Sequence, residues 1–248
     1  ALLSPLNPRY FGCQALVLCP TRELADQVAK EIRRLARAAD NIKVLTLCGG
    51  VPYGPQVASL EHGAHVVVGT PGRIQEHLRK GTLVLDGLNT LVLDEADRML
   101  DMGFYDSIAE IIGQLPERRQ TLLFSATHSG AGLNKVIAEV LREPQVLRLN
   151  QVGELNENVR QQVITADDVA HKEQLLQWLL SNETYTKAIV FTNTRVSADR
   201  LTGRLIANQH KVFVLHGEKD QKDRKLAIER LKQGAVKILV ATDVAARG

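Results

Sequence analysis

Two adjacent carboxylates, Asp94 and Glu95, directly follow the short apolar run Leu-Val-Leu at 91–93. In open α/β sheets, ligands bind at the carboxyl ends of the strands. A carboxylate in such a position can hold Mg²⁺, usually through water, and its neighbour can orient and deprotonate an attacking water molecule. The alternative is that the acidic segment 94–97 only caps the helix predicted at 98–113. The segment by itself leaves both interpretations open.

Other segments have the residue types that bind anions. Thr21 and Arg22 open a predicted helix directly after an apolar run, and helix N-termini donate backbone N–H groups to anions. The segment 70–73, Thr-Pro-Gly-Arg, repeats that design, with a proline suited to the first helical turn and a glycine that permits close approach. Ordinary caps, turns and surface charge are the alternatives. The candidate anion-binding residues are Thr21, Arg22, Gly50, Thr70, Gly72 and Arg73.

Short apolar runs followed by amphipathic segments must position these side chains. Most runs are nearly continuous in Val, Leu and Ile, which is typical of strands buried on both faces of a parallel sheet. The segment 22–39 places Leu24, Val28 and Ile32 on one stripe, with Thr21 before it as a predicted N-cap. This alternation predicts an α/β fold with doubly wound parallel sheets. The runs lie at 15–20, 44–49, 66–70, 90–96, 121–127, 146–150, 162–166, 188–194, 212–217 and 238–243.

A polar segment at 151–168 separates two sets of these runs. Its first part contains Gly153, Glu154 and Asn156 and few apolar residues. Such a composition is typical of a linker, so we place a domain boundary near residue 152. Residues 1–151 are predicted to form one domain, residues 152–168 a linker and the entry to the second domain, and residues 169–248 that second domain.

The order of the motifs resembles that of the DEAD-box family of superfamily 2 helicases. The segment at 94–97, Asp-Glu-Ala-Asp, matches the family's signature, and Ser-Ala-Thr at 125–127 matches its motif III. The chain closes on a segment similar to motif V, and the resemblance extends from about residue 14 to residue 248. The remaining matching segments are 20–25, 49–50, 70–73, 190–194 and 221–224.

The resemblance implies roles for particular residues. Glu95 and Asp94 would be catalytic, with ATP as the nucleotide and Mg²⁺ held by Asp94 through water in the family's manner. Asp97, Ser125 and Thr127 would couple nucleotide to RNA, and Arg247 would point into an interdomain cleft towards Glu95. Thr192, Arg224 and Thr242 would join the anion-binding candidates of the first domain in gripping consecutive RNA phosphates.

The family's phosphate-cradling loop, G-x-x-x-x-G-K-[ST], has no counterpart in these 248 residues, because no glycine is followed by lysine. By resemblance we expect two RecA-like domains, the first without its N-terminal strand and P-loop and the second without its C-terminal part. The parent protein would be an ATP-dependent RNA helicase, whereas the fragment would be catalytically incompetent. Unpaired strand edges would also favour oligomers or poor solubility. A non-catalytic RNA-binding clamp is the alternative.

Composition and charge narrow the partners and the compartment. The net charge of +3 permits a polyanionic partner without requiring one. Phosphate contacts predict sequence-tolerant RNA binding, and the first half, through about Thr127, resembles a bacterial branch that acts on ribosomal RNA or its ribonucleoprotein. No apolar stretch approaches 18 residues, so no membrane segment is predicted. The cysteines Cys13, Cys19 and Cys48 lie in or beside apolar runs, as buried thiols of a reducing, cytoplasmic compartment.

Overall fold

The computed structural model describes residues 2–39, 41–117, 119–127, 130–148 and 159–242. The chain divides into two compact units, Ala1–Glu154 and Leu155–Gly248. Each unit contains a parallel sheet with helices in the connections, so the predicted α/β class is confirmed. Of the predicted linker, residues 152–158 lie outside the described part of the chain.

The first unit alternates strands and helices along the chain. Its elements are β1 (Ala15–Leu18), α1 (Arg22–Ala36), β2 (Val44–Leu47), α2 (Tyr53–Glu61), β3 (Val66–Gly69), α3 (Pro71–Arg79), β4 (Thr90–Leu93), α4 (Ala96–Asp101), α5 (Tyr105–Gly113), β5 (Gln120–Leu123) and α6 (Ala131–Val140). The strand order is β2-β3-β1-β4-β5, with parallel pairing throughout. All carboxyl ends therefore meet at one edge of the sheet.

Strand β1 is the centre of this sheet and is buried on both faces. Leu16 and Leu18 join one apolar cluster, while Ala15 and Val17 join a second cluster on the opposite face. This alternation follows from the two-residue period of a strand. Because helices cover both faces, the strand tolerates no polar side chain, which explains its continuous apolar sequence.

Local sequence explains where the helices begin and end. Thr21 caps α1 as predicted, since its hydroxyl accepts a hydrogen bond from the backbone N–H of Leu24 at 3.3 Å. The helix ends at Ala36, short of the predicted residue 39. The single helix predicted at 98–113 is wrong: α4 and α5 are separate because Gly103 has φ 79°, a left-handed conformation that a continuous helix excludes.

The second unit is built in the same way. Its elements are α7 (Val169–Asn182), β6 (Ala188–Thr192), α8 (Arg195–Ala207), β7 (Val212–Leu215), α9 (Gln221–Gln233) and β8 (Ile238–Thr242). The sheet order is β6-β8-β7, again parallel, and β8 is buried along its whole length. Val240 and Leu205 lie in the core between this sheet and α8.

Two of the predicted strands are wrong. The described residues of the runs at 146–150 and 162–166 form no strand. Val146, Leu147 and Val163 are 68%, 75% and 95% exposed, so these apolar residues have no packed neighbour to define a face. An apolar run becomes a strand only where another strand supplies hydrogen bonds, and sequence pattern alone does not report that partner. Within the described ranges, no helix is long and apolar enough to cross a membrane.

Strand β5 presents an open backbone edge. The N–H groups of Gln120 and Phe124 donate to carbonyls on the β4 side, each at 2.8 Å. Since the backbone groups of successive strand residues point in opposite directions, those of Thr121 and Leu123 face away from β4. Among the described residues β5 pairs with β4 alone. An open edge of this kind is a template for association with another chain.

We therefore expect the 248-residue chain to self-associate through β5. Thr121→Pro removes an outward N–H group and should shift the mass measured by light scattering towards the monomer. Leu122→Pro is the matched control, because it removes a hydrogen bond to β4 and should instead destabilise the fold by about 1–3 kcal/mol, the cost of an unsatisfied buried carbonyl. A monodisperse monomer of the unsubstituted chain would contradict this expectation.

Candidate functional site

The carboxyl ends of the strands in the first unit bring most of the candidate residues together. Thr21 follows β1, Gly50 follows β2 and Thr70 follows β3, and these three strands are neighbours in the sheet. Asp94 follows β4 and Ser125 follows β5 on the other side of β1. The anion-binding candidates therefore occupy one half of this edge, and the carboxylates occupy the other half.

Glu95 has a strained backbone conformation. Its φ and ψ are 50° and 52°, in the left-handed region, which costs a non-glycine residue about 1–2 kcal/mol. The turn lets the N–H of Ala96 donate to the carbonyl of Phe124 at 2.9 Å, which ties the end of β4 to the end of β5. The Glu95 side chain makes no capping hydrogen bond to α4. The helix-capping interpretation is therefore wrong for Glu95.

The carboxyl group of Asp94 is half-buried beside that of Glu95. Burial raises the pKa of Asp94, the neighbouring Glu95 raises it further, and the backbone N–H of Glu95 partly opposes the rise. Asp94, with its raised pKa, and the adjacent carboxylate of Glu95 form a local excess of negative charge. A divalent cation with oxygen ligands relieves such an excess, so the residues present fit a magnesium site.

Arg98 orients Glu95, and sequence reasoning missed it. Its Nη1 lies 3.1 Å from Oε2 of Glu95, with the arginine side chain 10% exposed and the glutamate side chain 40% exposed. The guanidinium thus holds the carboxylate and still leaves it open to a solvent molecule. The sequence did contain a signal for this pair, because Arg98 follows Glu95 by three residues and side chains at that spacing near a helix lie on the same face.

Asp97 is tied to the segment after β5. Its Oδ2 accepts hydrogen bonds from the hydroxyl of Thr127 at 2.9 Å and from the N–H of Thr127 at 3.0 Å. The hydroxyl of Ser125 donates to the carbonyl of Thr127 at 2.8 Å, which holds the segment in place. Burial would raise the pKa of Asp97, but hydrogen bonds from Thr127, Arg98 and Ser125 outweigh it and lower the pKa. The side chains predicted to couple the two ligands are therefore in contact.

Arg22 and Gly50 contact each other at the end of β2. The Arg22 guanidinium donates to the carbonyl of Gly49, and Gly50 has φ 71°. A Cβ added at Gly50 would displace the flexible end of the Arg22 side chain, and the left-handed φ favours glycine there whatever the space. The Nε of Arg22 is buried without a hydrogen-bond partner among the described residues. The backbone conformation thus favours glycine, and its small size leaves room for the Arg22 contact.

Arg73 is held against the same loop rather than being a free surface charge. Its two terminal nitrogens donate to the carbonyl of Val51 at 3.1 and 3.2 Å, and its Nε pairs with Glu76 at 3.0 Å. Thr70 accepts a hydrogen bond from the N–H of Gly49 at 3.4 Å. Gly72 differs, since a Cβ added there would meet nothing within 4 Å. Packing within the protein does not require that glycine, and its exposed backbone is open to a ligand.

The candidates of the second unit lie at the carboxyl edge of its own sheet or next to it. Thr192 and Thr242 are register partners at the ends of β6 and β8. The hydroxyl of Thr192 donates to the carbonyl of Thr194 at 3.2 Å. Arg224 lies in the first turn of α9, where its N–H donates to the carbonyl of Asp220 at 3.0 Å. Arg247 lies outside the described residues.

The cysteines are buried, as the sequence predicted. Cys13, Cys19 and Cys48 are 6%, 0% and 2% exposed. Burial raises the pKa of the Cys13 and Cys48 thiols to about 12 and also raises that of Cys19. A thiol that stays protonated is a poor nucleophile, so these side chains act as small apolar groups.

Comparison with protein families agrees with this geometry. The family model described as DEAD/DEAH box helicase matches residues 1–136, and the model described as helicase conserved C-terminal domain matches residues 170–248. The chain belongs to the DEAD-box helicase family. Similar curated DEAD-box proteins include the ATP-dependent RNA helicases DbpA and DeaD of Escherichia coli, 48% and 40% identical over 247 residues. The chain spans 53% and 39% of their lengths.

Solved DEAD-box structures share the fold. Saccharomyces cerevisiae Dbp5 bound to RNA and ADP BeF3 matches with a TM-score of 0.86 and 31% identity, covering 100% of this chain and 62% of that one. A DEAD box protein from Methanococcus jannaschii matches with a TM-score of 0.56 and 34% identity, covering 98% of this chain and 64% of that one. The two RecA-like sheets predicted from the motifs are thereby confirmed as the fold class.

The contact between Asp97 and Thr127 predicts a pH-dependent contribution to stability. Thr127→Val removes the hydroxyl donor and should raise the pKa of Asp97 towards its ordinary value. A lowered carboxyl pKa stabilises the fold above that ordinary value and loses its effect as the pH falls through the folded-state pKa. The variant should therefore unfold with a free energy about 1 kcal/mol lower at neutral pH in urea titrations.

The difference should vanish once Asp97 is protonated, at pH values well below about 4. Thr121→Val is the matched control, because Thr121 lies on β5 away from this contact, and its effect should not change with pH. A Thr127→Val effect of equal size at neutral and acidic pH would show that the carboxylate is not involved.

Proposed function

We propose that the protein to which this chain belongs hydrolyses ATP in response to RNA and uses the cycle to open short RNA duplexes or remodel ribonucleoproteins. The observation that carries the proposal is the shared edge of the first sheet. A carboxylate pair after β4 and anion-binding segments after β1, β2 and β3 lie on adjacent strands of that edge. Ligands of open α/β sheets bind at such an edge.

On the nucleotide side, each carboxylate has a separate task. Asp94 would hold Mg²⁺ through water, and the bound ion would supply charge neutralisation to the phosphates. Glu95 would orient the attacking water and accept its proton, because its carboxylate is fixed by Arg98 and remains 40% exposed. The left-handed backbone at Glu95 supports this role, since strain of this kind is concentrated at functional sites.

On the RNA side, recognition would be of the sugar-phosphate backbone. Gly72 offers open backbone at the N-terminus of α3, and Arg73 and Arg22 bring positive charge to the loop around Gly50. Thr192, Arg224 and Thr242 would contribute from the second unit. Phosphate contacts carry no sequence information, so binding would tolerate any sequence. Ribosomal RNA in a cytoplasmic ribonucleoprotein is the target that the motif resemblance favours.

Asp97 would couple the two sides. It lies two residues after Glu95 and is bonded to Thr127 on the segment after β5. A shift of one segment is thereby transmitted to the other through hydrogen bonds of 2.9 and 3.0 Å. A clamp that only holds RNA needs neither these bonds nor the strained Glu95, and their presence favours the enzyme over the non-catalytic alternative.

The 248 residues alone would turn over ATP negligibly. They contain no Gly-Lys pair and so no phosphate-cradling loop of the P-loop type. Without that loop the carboxylates have no fixed triphosphate to act on. The family's arginine-finger motif, His-Arg-Gly-Arg, is also absent from these 248 residues, and an arginine finger is worth roughly 10³–10⁵ in rate. The proposed RNA-binding segments of the first unit follow β1, β2 and β3, and all of them are present in the 248 residues.

Glu95→Gln tests the catalytic proposal in a protein that includes the phosphate-cradling loop. The amide can still accept a hydrogen bond from Arg98, but it cannot take a proton. Steady-state ATP turnover should fall by roughly 10²–10⁴ while RNA-stimulated nucleotide binding is retained. Glu31→Gln on α1 is the control and should leave ATP turnover unchanged. Unchanged turnover in Glu95→Gln would exclude this residue as the base. In a separate measurement, normal ATP turnover by the 248 residues alone would contradict their proposed inactivity.

Arg73→Ala tests the RNA surface in the 248-residue chain. Fluorescence anisotropy with a labelled single strand should show affinity weakened about tenfold, a loss of roughly 1.4 kcal/mol. The slope of log affinity against log salt should become shallower by about 0.7, the value for one phosphate contact on a single strand. Arg79→Ala is the matched control, because Arg79 lies on the same helix and has the same charge. Its side chain pairs with Glu110 on α5 and not with the glycine loop. Equal effects of the two substitutions would remove Arg73 from the interface.

A further inference from the structure

A buried chain of hydrogen bonds lies beneath the Gly49–Gly50 loop. Gln56 on α2 and His77 on α3 are 7% and 0% exposed. The Nε2 of Gln56 donates to the carbonyl of Cys48 at 3.0 Å, directly before the loop. The Nε2 of His77 lies 3.1 Å from Oε1 of Gln56. Two helices are thus connected by side chains to the residue at which β2 gives way to the loop.

The direction of every bond in this chain follows from its chemistry. A backbone carbonyl only accepts, so Gln56 must turn its NH₂ group towards Cys48 and its oxygen towards His77. That oxygen also only accepts, so the Nε2 of His77 must carry the hydrogen. In a neutral imidazole the Nδ1 is then an acceptor. The hydroxyl of Thr82 lies 2.8 Å from this Nδ1 and 3.1 Å from the backbone carbonyl of His77, so its single hydrogen serves two acceptors of the same residue.

Tyr53 completes the chain at its other end. Its hydroxyl lies 2.8 Å from that of Thr82 and must donate, because the single hydrogen of Thr82 is already directed at His77. The Tyr53 ring stacks on the His77 ring, with centroids 4.4 Å apart and planes inclined by 18°. Arg73 and Lys80 lie over the Tyr53 ring at 5.6 and 4.1 Å. The same arginine donates to the carbonyl of Val51 just beyond the loop.

His77 is neutral in this environment. Burial lowers the pKa of His77 to about 4, and the nearby charges of Arg73 and Lys80 add to this while Glu76 opposes it. Protonation would turn Nδ1 into a donor, and the Thr82 hydroxyl would then accept from it and donate to the His77 carbonyl alone. At neutral pH the tautomer, and with it the direction of the whole chain, is fixed.

We propose that His77 and Gln56 are positioning residues that hold the Gly49–Gly50 loop in the geometry it needs to bind RNA phosphates. The inference rests on the proposed RNA-binding function. The carbonyl of Cys48 is the anchor, since Cys48 is 2% exposed and Gln56 is the donor that reaches it from the side of α2. Arg22 and Thr70 contact the loop at Gly49, and Arg73 contacts it at Val51. The loop is therefore fixed at each end by polar contacts from other elements.

The test measures RNA affinity in the 248-residue chain by anisotropy, corrected for the folded fraction by circular dichroism. His77→Leu and Gln56→Met each interrupt the chain and should weaken binding about five- to tenfold. The RNA affinity of the double variant should equal that of the single variant with the lower affinity, because both substitutions release the same anchor. His77→Gln keeps an N–H donor and should recover most of the affinity, which a general loss of packing would not allow.

His65 provides the matched control. It is also 0% exposed and hydrogen-bonded, to the N–H of Lys43 at 3.0 Å and to the carbonyl of Pro8 at 3.2 Å, but it lies at the amino end of β3. His65→Leu should lower the unfolding free energy and leave the RNA affinity of the folded chain unchanged. Equal losses of affinity in His65→Leu and His77→Leu would overturn the inference.

Failure of this inference is distinguishable from failure of the proposed function. If Arg73→Ala weakens binding but Gln56→Met and His77→Leu do not, the interface stands and the positioning role is wrong. If the unsubstituted chain does not bind RNA, the proposed interface itself is wrong and the positioning role falls with it. Should His77→Leu fail to fold, the conservative His77→Gln and the nearly isosteric Gln56→Met still decide the question by their opposite expected effects.

Discussion

The parallel pairing of β1 with both β3 and β4 is the constraint on which the first unit depends. All four residues of β1 are buried, and the strand is registered with a neighbour on each side. Because the pairing is parallel, the segments that follow these strands are forced to the same edge. Residues as distant in sequence as Thr21 and Asp94 therefore follow adjacent strands. A register slip of one residue would turn every side chain of the slipped strand to the opposite face of the sheet.

The edge also contains conformations that only this packing sustains. Glu95 stays in the left-handed region because the N–H that follows it is bonded to Phe124 and its carboxylate is held by Arg98. Gly50 has a comparable φ, but glycine adopts it without strain and leaves room for Arg22. The strain is thus concentrated on the carboxylate side, where a side chain must be aimed, and is absent from the phosphate side, where backbone must be exposed.

The sequence predicted the parts of this arrangement that depend on local pattern. The strands from β1 to β8 and the cap at Thr21 were correct because apolar runs and helix N-caps have short-range signals. The helix predicted at 98–113 was wrong because Gly103 interrupts it. Arg98 was missed, and so was the chain from Tyr53 to Gln56, because these contacts join elements whose proximity is defined only by the folded sheet. For the same reason, the sequence could not decide whether Arg73 contacts a ligand or is an ordinary surface charge.

In the proposed function both ligands are polyanions, and the separation of charge along the edge is what would allow this. RNA phosphates and a nucleotide triphosphate repel each other and the pair Asp94 and Glu95, with an energy that rises steeply in a partly buried site. Strand β1 stands between the carboxylates after β4 and the glycine loop after β2, which keeps the two sets of negative charge apart. A buried neutral histidine beneath the loop avoids a further desolvated charge. Under this proposal each half of the edge would bind its own anion. Asp97 and Thr127 lie in contact on the carboxylate side, where a change in one ligand would alter the segment that holds the other.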